Sequence, residues 1–260
     1  MFPYSQAQVK RFLSHVFSRV RYEVEGIDHL PQRGPGVIIM NHTGWEEILL
    51  TILTVQRNLK IVGMRELMFL DEAKSMARVF DTGYAKEFSF ARRQLAVVFG
   101  KLLGKAIRQQ LREFGYIPTR IFTDVWRPTL GCNGMRESVR ALETDNLLLF
   151  FPEGGYKRDG VMRPFKHGLG LILRILDRKG IQVPVIPAAQ HSAYSITTSL
   201  TNRFIPRLVF GAPMVFNFDG ISSHAFDEGV VNELQDRVNN LLPRACAVEK
   251  TSQRLRNKRK

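Results

Sequence analysis

Cysteine, long apolar runs and acidic residues are all scarce in this sequence of 260 residues. The two cysteines, Cys132 and Cys246, have no metal-binding or redox spacing, which excludes a disulfide framework and indicates a reducing compartment. No stretch approaches the roughly 18 uninterrupted apolar residues that a membrane-spanning helix needs. The start, MFPYSQAQVKRF, also lacks the apolar core of a secretory signal. We therefore expect a cytoplasmic protein, soluble or peripherally associated with a membrane, with no transmembrane helix.

The shortage of acidic residues leaves a large excess of positive charge. Against 24 Asp and Glu stand 38 Lys and Arg, which gives a formal net charge of +14. Such an excess predicts an acidic partner: nucleic acid, an anionic membrane surface, a phosphorylated substrate or an acidic carrier protein. No helix-turn-helix or RNA-binding signature accompanies the charge, so nucleic-acid binding is not expected. The last ten residues, TSQRLRNKRK, favour a solubilising tail, with a phosphate or membrane contact as the alternative.

Several motifs of known chemistry are absent as well. The sequence contains no G-x-S-x-G elbow of a serine hydrolase and no H-E-x-x-H zinc pair. The stretch GKLLGK has too few residues between its glycines for a phosphate-binding loop. We therefore predict neither a serine nucleophile nor a metal site.

Short apolar runs typical of buried strands alternate with helical patterns, which predicts an α/β fold. We expect a single domain whose central sheet, mostly parallel or mixed, is flanked by helices. The chain then divides into an amphipathic helical segment at 1–21, the main domain at 22–245 and a basic tail at 246–260. Two prolines in QVPVIPAA predict that this strand lies at a sheet edge or at a strand end.

The strongest helical pattern covers residues 94–114, where nine apolar residues form one stripe and four basic residues lie off it. Two structures fit this pattern. The stripe can pack on the protein core, or the basic helix can lie on an anionic membrane.

Three polar segments each lie at or just after the end of an apolar strand: NHTGWEE, PEGGYKRDG and PAAQ. In α/β sheets the carboxyl ends of strands are where functional sites assemble. His42 beside a carboxylate can be a general base, although a capped helix start with solvated acids would give the same pattern. The Gly-Gly step lets the backbone approach a ligand, and Lys157 and Arg158 can neutralise an anion.

Four ordered blocks carry a resemblance to a known family. NHTGWEE matches N-H-x4-D with Glu47 in the acidic place, and GYIPTR matches a second block at Gly115 and Arg120. FPEGGYK matches F-P-E-G-T-R-S through Gly154, its continuation RDGVMRPFKHG follows R-D-G and P-F-K-x-G, and VPVIPAA matches an aliphatic-proline strand. Over about residues 22–215 the chain thus resembles the glycerolipid acyltransferases, whose founding activity is 1-acylglycerol-3-phosphate acyltransferase.

The resemblance implies an enzyme of phospholipid biosynthesis. It would transfer a fatty acyl group from acyl-CoA or an acidic acyl-carrier protein to the hydroxyl of a lysophosphatidic-acid-like lipid, at an anionic membrane surface. His42 would be the general base and Glu47 would orient its ring, with no protein nucleophile, cofactor or metal. By the same resemblance the substrate-binding residues would be Arg120, Glu153, Gly154, Gly155, Lys157 and Arg158.

Two glutamates compete to orient the histidine. On an ideal helix four residues correspond to about 400° of rotation, so Glu46 would share the face of His42. Thr43 and Gly44 are residues that favour a helix start. If the helix begins there, His42 precedes it and is not bound by the helical rotation, so the side chain of Glu47 can reach the ring. The family spacing favours Glu47.

Two departures from the family pattern keep other functions open. Gly155, Tyr156 and Lys157 stand where the family has Thr-Arg-Ser, which removes a guanidinium that can grip phosphate. A neutral or unusual alcohol is therefore an alternative acceptor. Glu47 replaces an Asp, and together with the basic amphipathic stretches this leaves a non-catalytic membrane-binding homologue as a third hypothesis.

Overall fold

The computed structural model of the chain describes residues 4–18, 20–42, 44, 46–64, 67, 90–119, 128–155, 162–190, 204–218, 223–246 and 248–249. The helices are α1 (Gln6–Val16), α2 (Glu46–Thr54), α3 (Phe90–Phe114), α4 (Pro128–Glu143), α5 (Gly168–Asp177) and α6 (Ser223–Ala245). The strands are β1 (Glu23–Glu25), β2 (Gly36–Met40), β3 (Leu59–Met64), β4 (Tyr116–Thr119), β5 (Leu147–Phe150), β6 (Val185–Gln190), β7 (Phe204–Ile205), β8 (Arg207–Phe210) and β9 (Val248–Glu249).

Seven of these strands form one sheet in the order β1-β8-β6-β2-β5-β3-β4. The five strands from β6 to β4 run parallel to one another. Strand β8 is antiparallel to β6 and parallel to β1, while β7 and β9 pair separately. The predicted α/β class, with a central, mostly parallel sheet flanked by helices, is confirmed.

The central strand β2 explains why its sequence is a continuous apolar run. Val37 and Ile39 face a core that includes α4, α5 and α6, whereas Ile38 and Met40 face a core that includes α1, α2 and α3. All four side chains are fully buried. A strand covered by helices on both faces has no solvent side, so its sequence shows no alternation of apolar and polar residues.

Strand β6 lies inside the sheet, between β8 and β2, so the expectation of an edge strand is wrong. Pro184 does stand at a strand end, directly before β6, whereas Pro187 lies within the strand. An interior strand can accommodate Pro187 because its backbone groups point away from β2. Its carbonyl accepts a hydrogen bond from Gly211, on the side away from β2, and the ladder between β6 and β8 begins only at Ala188. The missing N–H of Pro187 therefore removes no bond from the ladder with β2.

The N-terminal segment folds as α1, and polar side chains tie this helix to the domain. Gln6 Nε2 donates to the carbonyls of Leu59 and Phe114 at 2.6 and 2.5 Å. Lys10 Nζ donates to the carbonyl of Val55 at 2.8 Å, and burial lowers the pKa of this lysine to about 8. Helix α1 thus sits against the end of α2 and beside the last turn of α3.

The apolar stripe of α3 is divided between the core and solvent. Leu111 and Phe114 pack on the core at the end of the helix. Val98 and Leu102, further towards its start, are 52% and 74% exposed. Core packing therefore accounts for the end of the stripe but not for Val98 or Leu102. Across the described part of the chain, no helix combines the length and apolar character needed to span a membrane.

Candidate active site

Strands β6, β2 and β5 lie side by side and parallel, so their carboxyl ends share one edge of the sheet. At this edge the buried side chain of Asn41 joins two of the strands. Its Nδ2 donates to the carbonyl of Gln190 at 2.8 Å, and the N–H of Gln190 donates back to its Oδ1 at 3.0 Å. This pair of bonds fixes the backbone immediately before His42. The structure thus brings together the three strand ends that the sequence singled out.

His42 lies in the loop between β2 and α2, with its side chain 19% exposed. Its backbone N–H donates to Glu153 Oε1 at 2.6 Å, and its Nδ1 lies 2.6 Å from Glu47 Oε1. The ring also stacks on Phe151, with the two centroids 4.5 Å apart and the planes at 28°. Backbone, ring edge and ring face are therefore each held by a different residue.

The carboxylate of Glu47 is fully buried in the first turn of α2. Burial alone raises the pKa of this group. The hydrogen bond and charge of His42, together with the backbone N–H groups of Gly44 and Glu47, outweigh burial, so the pKa lies below the ordinary glutamate value. The start of a helix also favours negative charge. Glu47 is therefore an ionised acceptor for the Nδ1–H of the imidazole.

Glu153 is 2% exposed and uses both oxygens to hold backbone. Oε1 accepts from the N–H of His42, and Oε2 accepts from the N–H of Arg163 at 2.7 Å. Burial raises the pKa of Glu153, although these bonds and the charges of His42 and Arg163 oppose the shift. The resemblance assigned this residue to substrate binding; in the structure its carboxylate joins the first block to the segment after the Gly-Gly pair.

Gly154 and Gly155 have φ of +66° and +149°, which L side chains rarely adopt. The N–H of Gly154 donates to the carbonyl of Phe151 at 3.2 Å. A basic side chain lies close to the place that a Cβ would occupy on each glycine. A Cβ on Gly154 would lie 2.9 Å from Lys166 Nζ, and one on Gly155 would lie 3.3 Å from an Nη atom of Arg163.

Arg163 and Lys166 are thus site residues that the sequence reasoning missed. Both stand in the stretch RDGVMRPFKHG, which supported the resemblance without being assigned a role. Their signal was weak because a basic residue in a loop is usually solvated. Three predicted substrate-binding residues, Arg120, Lys157 and Arg158, lie outside the described residues, as does most of the basic tail.

The arrangement can remove a proton from a hydroxyl group. An ionised carboxylate on Nδ1 selects the imidazole tautomer whose Nε2 carries the lone pair, and it stabilises the imidazolium that forms when Nε2 takes up a proton. This is the arrangement of a general base. The fold and the site together define an α/β protein that carries a carboxylate-held histidine at the carboxyl edge of its parallel strands.

Comparison with known proteins gives the family. The model of the Acyltransferase family matches residues 21–190, more than half of the chain, so the protein belongs to this family and is an acyltransferase. A search of curated protein sequences gives no significant match. Among solved structures, the fold is similar to that of the 1-acyl-sn-glycerophosphate (LPA) acyltransferase PlsC from Thermotoga maritima. The TM-score is 0.52 at 15% sequence identity, over 92% of this chain and 79% of that chain.

Proposed function

We propose that this acyltransferase transfers a fatty acyl group from acyl-CoA or acyl-carrier protein to the hydroxyl of a lysophosphatidic-acid-like glycerolipid. The observation that carries the proposal is the 2.6 Å contact between His42 Nδ1 and the buried carboxylate of Glu47. A structurally similar protein is a 1-acyl-sn-glycerophosphate acyltransferase, which supports the choice of acceptor. The positive net charge suits both an anionic acceptor and an acidic donor.

In the proposed reaction, Nε2 of His42 takes the proton of the acceptor hydroxyl as the oxygen attacks the thioester carbonyl. The new C–O bond forms, the C–S bond breaks, and the leaving thiolate takes up a proton from the imidazolium. Glu47 stabilises the imidazolium between these two steps. Because the hydroxyl attacks the thioester directly, no acyl-enzyme intermediate is required.

The tetrahedral intermediate also needs donors for its oxyanion. We propose that the Gly-Gly pair supplies one of them. The N–H of Gly154 is engaged by the carbonyl of Phe151, which leaves the N–H of Gly155 as the candidate donor in this pair.

The purified protein should release thiol from acyl-CoA or acyl-carrier protein only when an acceptor is present, with the acylated lipid identified by mass spectrometry. The His42→Ala variant should lose this activity, because it lacks the imidazole that is proposed to take the proton. Turnover that survives unchanged in His42→Ala would overturn the assignment of the base.

A neutral alcohol is the second candidate acceptor, since Gly155 offers no side chain to grip phosphate. A panel of acceptors matched in acyl chain, with and without phosphate, separates the two candidates. A strict requirement for phosphate rules out the neutral acceptor, and equal use of both acceptor types rules out phosphate recognition.

We propose an anionic membrane surface as the partner that delivers the lipid. Tyr4, just before α1, exchanges two hydrogen bonds with Gln110 of α3. Both helices pack on the same side of the sheet and carry exposed apolar side chains. These side chains are Phe12, Val16, Val98, Leu102 and Leu103. Exposed Lys101 and Lys105 lie on the same helix as the last three. Apolar residues flanked by lysines suit a helix resting in a lipid headgroup layer.

A further inference from the structure

Arg163 reaches the site from the segment after the Gly-Gly pair. Its backbone N–H donates to Glu153 Oε2 at 2.7 Å, while the other oxygen of the same carboxylate accepts from the N–H of His42 at 2.6 Å. The backbone of Arg163 is therefore held by the carboxylate that holds the proposed base. These bonds place residue 163 at the carboxyl edge of the sheet, where the acceptor hydroxyl must lie. They involve its backbone alone, so the placement does not depend on the side chain.

The guanidinium of Arg163 fills space that a side chain at position 155 would need. An Nη atom lies 3.3 Å from the Cβ position of Gly155, a separation tighter than most real contacts of a Cβ. The φ of +149° at Gly155 also disfavours any other residue. A glycine at 155 and an arginine at 163 are thus compatible in this loop, and a larger residue at 155 would push the guanidinium aside.

The guanidinium is also incompletely satisfied. Arg163 Nε is buried and, in the described part of the chain, has no hydrogen-bond partner. A guanidinium is always charged and offers five N–H donors in a fork that matches phosphate. Leaving a buried donor unpaired is unfavourable, and the backbone of Arg163 shares the Glu153 carboxylate with that of His42. The unpaired Nε therefore points to a ligand oxygen that completes its bonding.

We propose that the guanidinium of Arg163 binds the phosphate of the acceptor lipid, an inference that rests on the proposed function. Phosphate could come from the acceptor or from a CoA donor. The acceptor is favoured because Arg163 shares the carboxylate of Glu153 with His42, which must touch the acceptor hydroxyl. Arg163 is then a specificity residue for a phosphomonoester headgroup.

The test uses Arg163→Met and Arg163→Lys, which both keep the backbone N–H on Glu153. Calorimetric titration with glycerol 3-phosphate should show binding to the wild type and at least about tenfold weaker binding to Arg163→Met, the size expected for a lost charged hydrogen bond. Arg163→Lys should fall between them because it keeps the charge and loses the fork. Glycerol without phosphate should show no difference among the three proteins.

Two further readouts distinguish recognition from structure. The KM for lysophosphatidic acid should rise in Arg163→Met while the KM for acyl-CoA stays unchanged. The Tm of Arg163→Met should equal or exceed that of the wild type, because the substitution removes an unpaired buried donor. A lower Tm with unchanged glycerol 3-phosphate binding would assign Arg163 to structure, and a rise in KM for acyl-CoA alone would assign it to the donor; either result overturns the proposal.

The titration does not depend on turnover, so it tests the role of Arg163 separately from the proposed function. A wild type that binds glycerol 3-phosphate through Arg163 without transferring acyl groups would contradict the proposed function alone. Acylation of lysophosphatidic acid that is as fast in Arg163→Met as in the wild type, at limiting acceptor, would contradict the role of Arg163 alone.

Discussion

The carboxylate of Glu153 holds the backbone N–H of His42 at 2.6 Å across 111 residues of sequence. Its second oxygen holds the N–H of Arg163. Glu153 thus holds the backbone of His42, while Glu47 orients its ring through Nδ1. The buried carboxylate joins a loop after β2 to a loop after β5.

Glu153→Gln should lower both stability and activity. Both carboxylate oxygens accept from N–H groups, so the amide NH2 of glutamine must face one of these donors and leave it unpaired. We expect a loss of about 1–3 kcal/mol in the free energy of unfolding, measured with denaturant, and a fall in kcat as His42 shifts. The control is Glu233→Gln on the exposed face of α6, where the pair with Arg237 spans 3.4 Å and the change should be within about 0.5 kcal/mol. Equal stability of the two variants would contradict the structural role of Glu153.

The two adjacent glutamates should differ in kinetics. Glu47→Gln removes the ionised acceptor on Nδ1 and should lower kcat by roughly 10²- to 10⁴-fold, the range for a disturbed general base. Glu46→Gln is the matched control, since both residues are buried in the first turn of α2. A larger loss in Glu46→Gln than in Glu47→Gln would mean that Glu46 orients the ring.

The stability due to Glu47 should depend on pH. The pKa of Glu47 is lowered in the folded protein, so its contribution is fully present above the unfolded value of about 4.3. It is lost as the pH falls through the lower folded value. The difference in free energy of unfolding between wild type and Glu47→Gln should therefore be constant near neutral pH and shrink in acid. A difference that grows on acidification would have the wrong sign for an ionised, hydrogen-bonded carboxylate.

Gly26 and Gly34, two glycines with positive φ, allow the cost of backbone strain to be measured apart from that of steric overlap. Gly26 and Gly34 have φ of +71° and +75°, so alanine should strain either position by roughly 1–2 kcal/mol. A Cβ on Gly26 would also lie 2.1 Å from the carbonyl oxygen of Phe210, whereas none of the described atoms lies within 4 Å of a Cβ on Gly34. Thermal unfolding should show Gly26→Ala as clearly the less stable variant, and equal Tm values would contradict this local packing.

Membrane binding should require the exposed side of α3. The double variant Val98→Asp with Leu102→Asp should sediment less with anionic liposomes than the wild type, because it places charge on the apolar side of α3 that is proposed to rest on lipid. Leu171→Asp is the control: Leu171 is 40% exposed but lies on α5, on the other side of the sheet. Binding of the wild type should also weaken with salt. Equal sedimentation of the α3 and α5 variants would exclude α3 as the docking surface.

Much of the fold could be predicted because its signals are local. The run from Val37 to Met40 is apolar throughout, which is typical of a strand covered on both faces, and the structure buries it fully. The polar segments at the ends of β2, β5 and β6 could be expected to meet, since the carboxyl ends of neighbouring parallel strands share an edge. The spacing of Glu47 from His42 is also local.

Other features depend on contacts between distant parts of the chain. Strand β6 can lie inside the sheet because the carbonyl of Pro187 points away from β2, a direction that two prolines in a sequence do not reveal. The exposure of Leu102 depends on what covers α3, and an apolar stripe has the same spacing whether it meets core, solvent or lipid.

By itself the sequence determined the α/β class, the strand that precedes His42 and the chemistry of the side chains that follow it, because these depend on residue type and short-range period. Only the tertiary structure decided that Glu153 grips the backbone of His42 and that Arg163 fills the space beside Gly155. Those relationships join residues that are far apart along the chain, and a hydrogen bond is fixed by distance and direction in space, which no spacing in the sequence encodes.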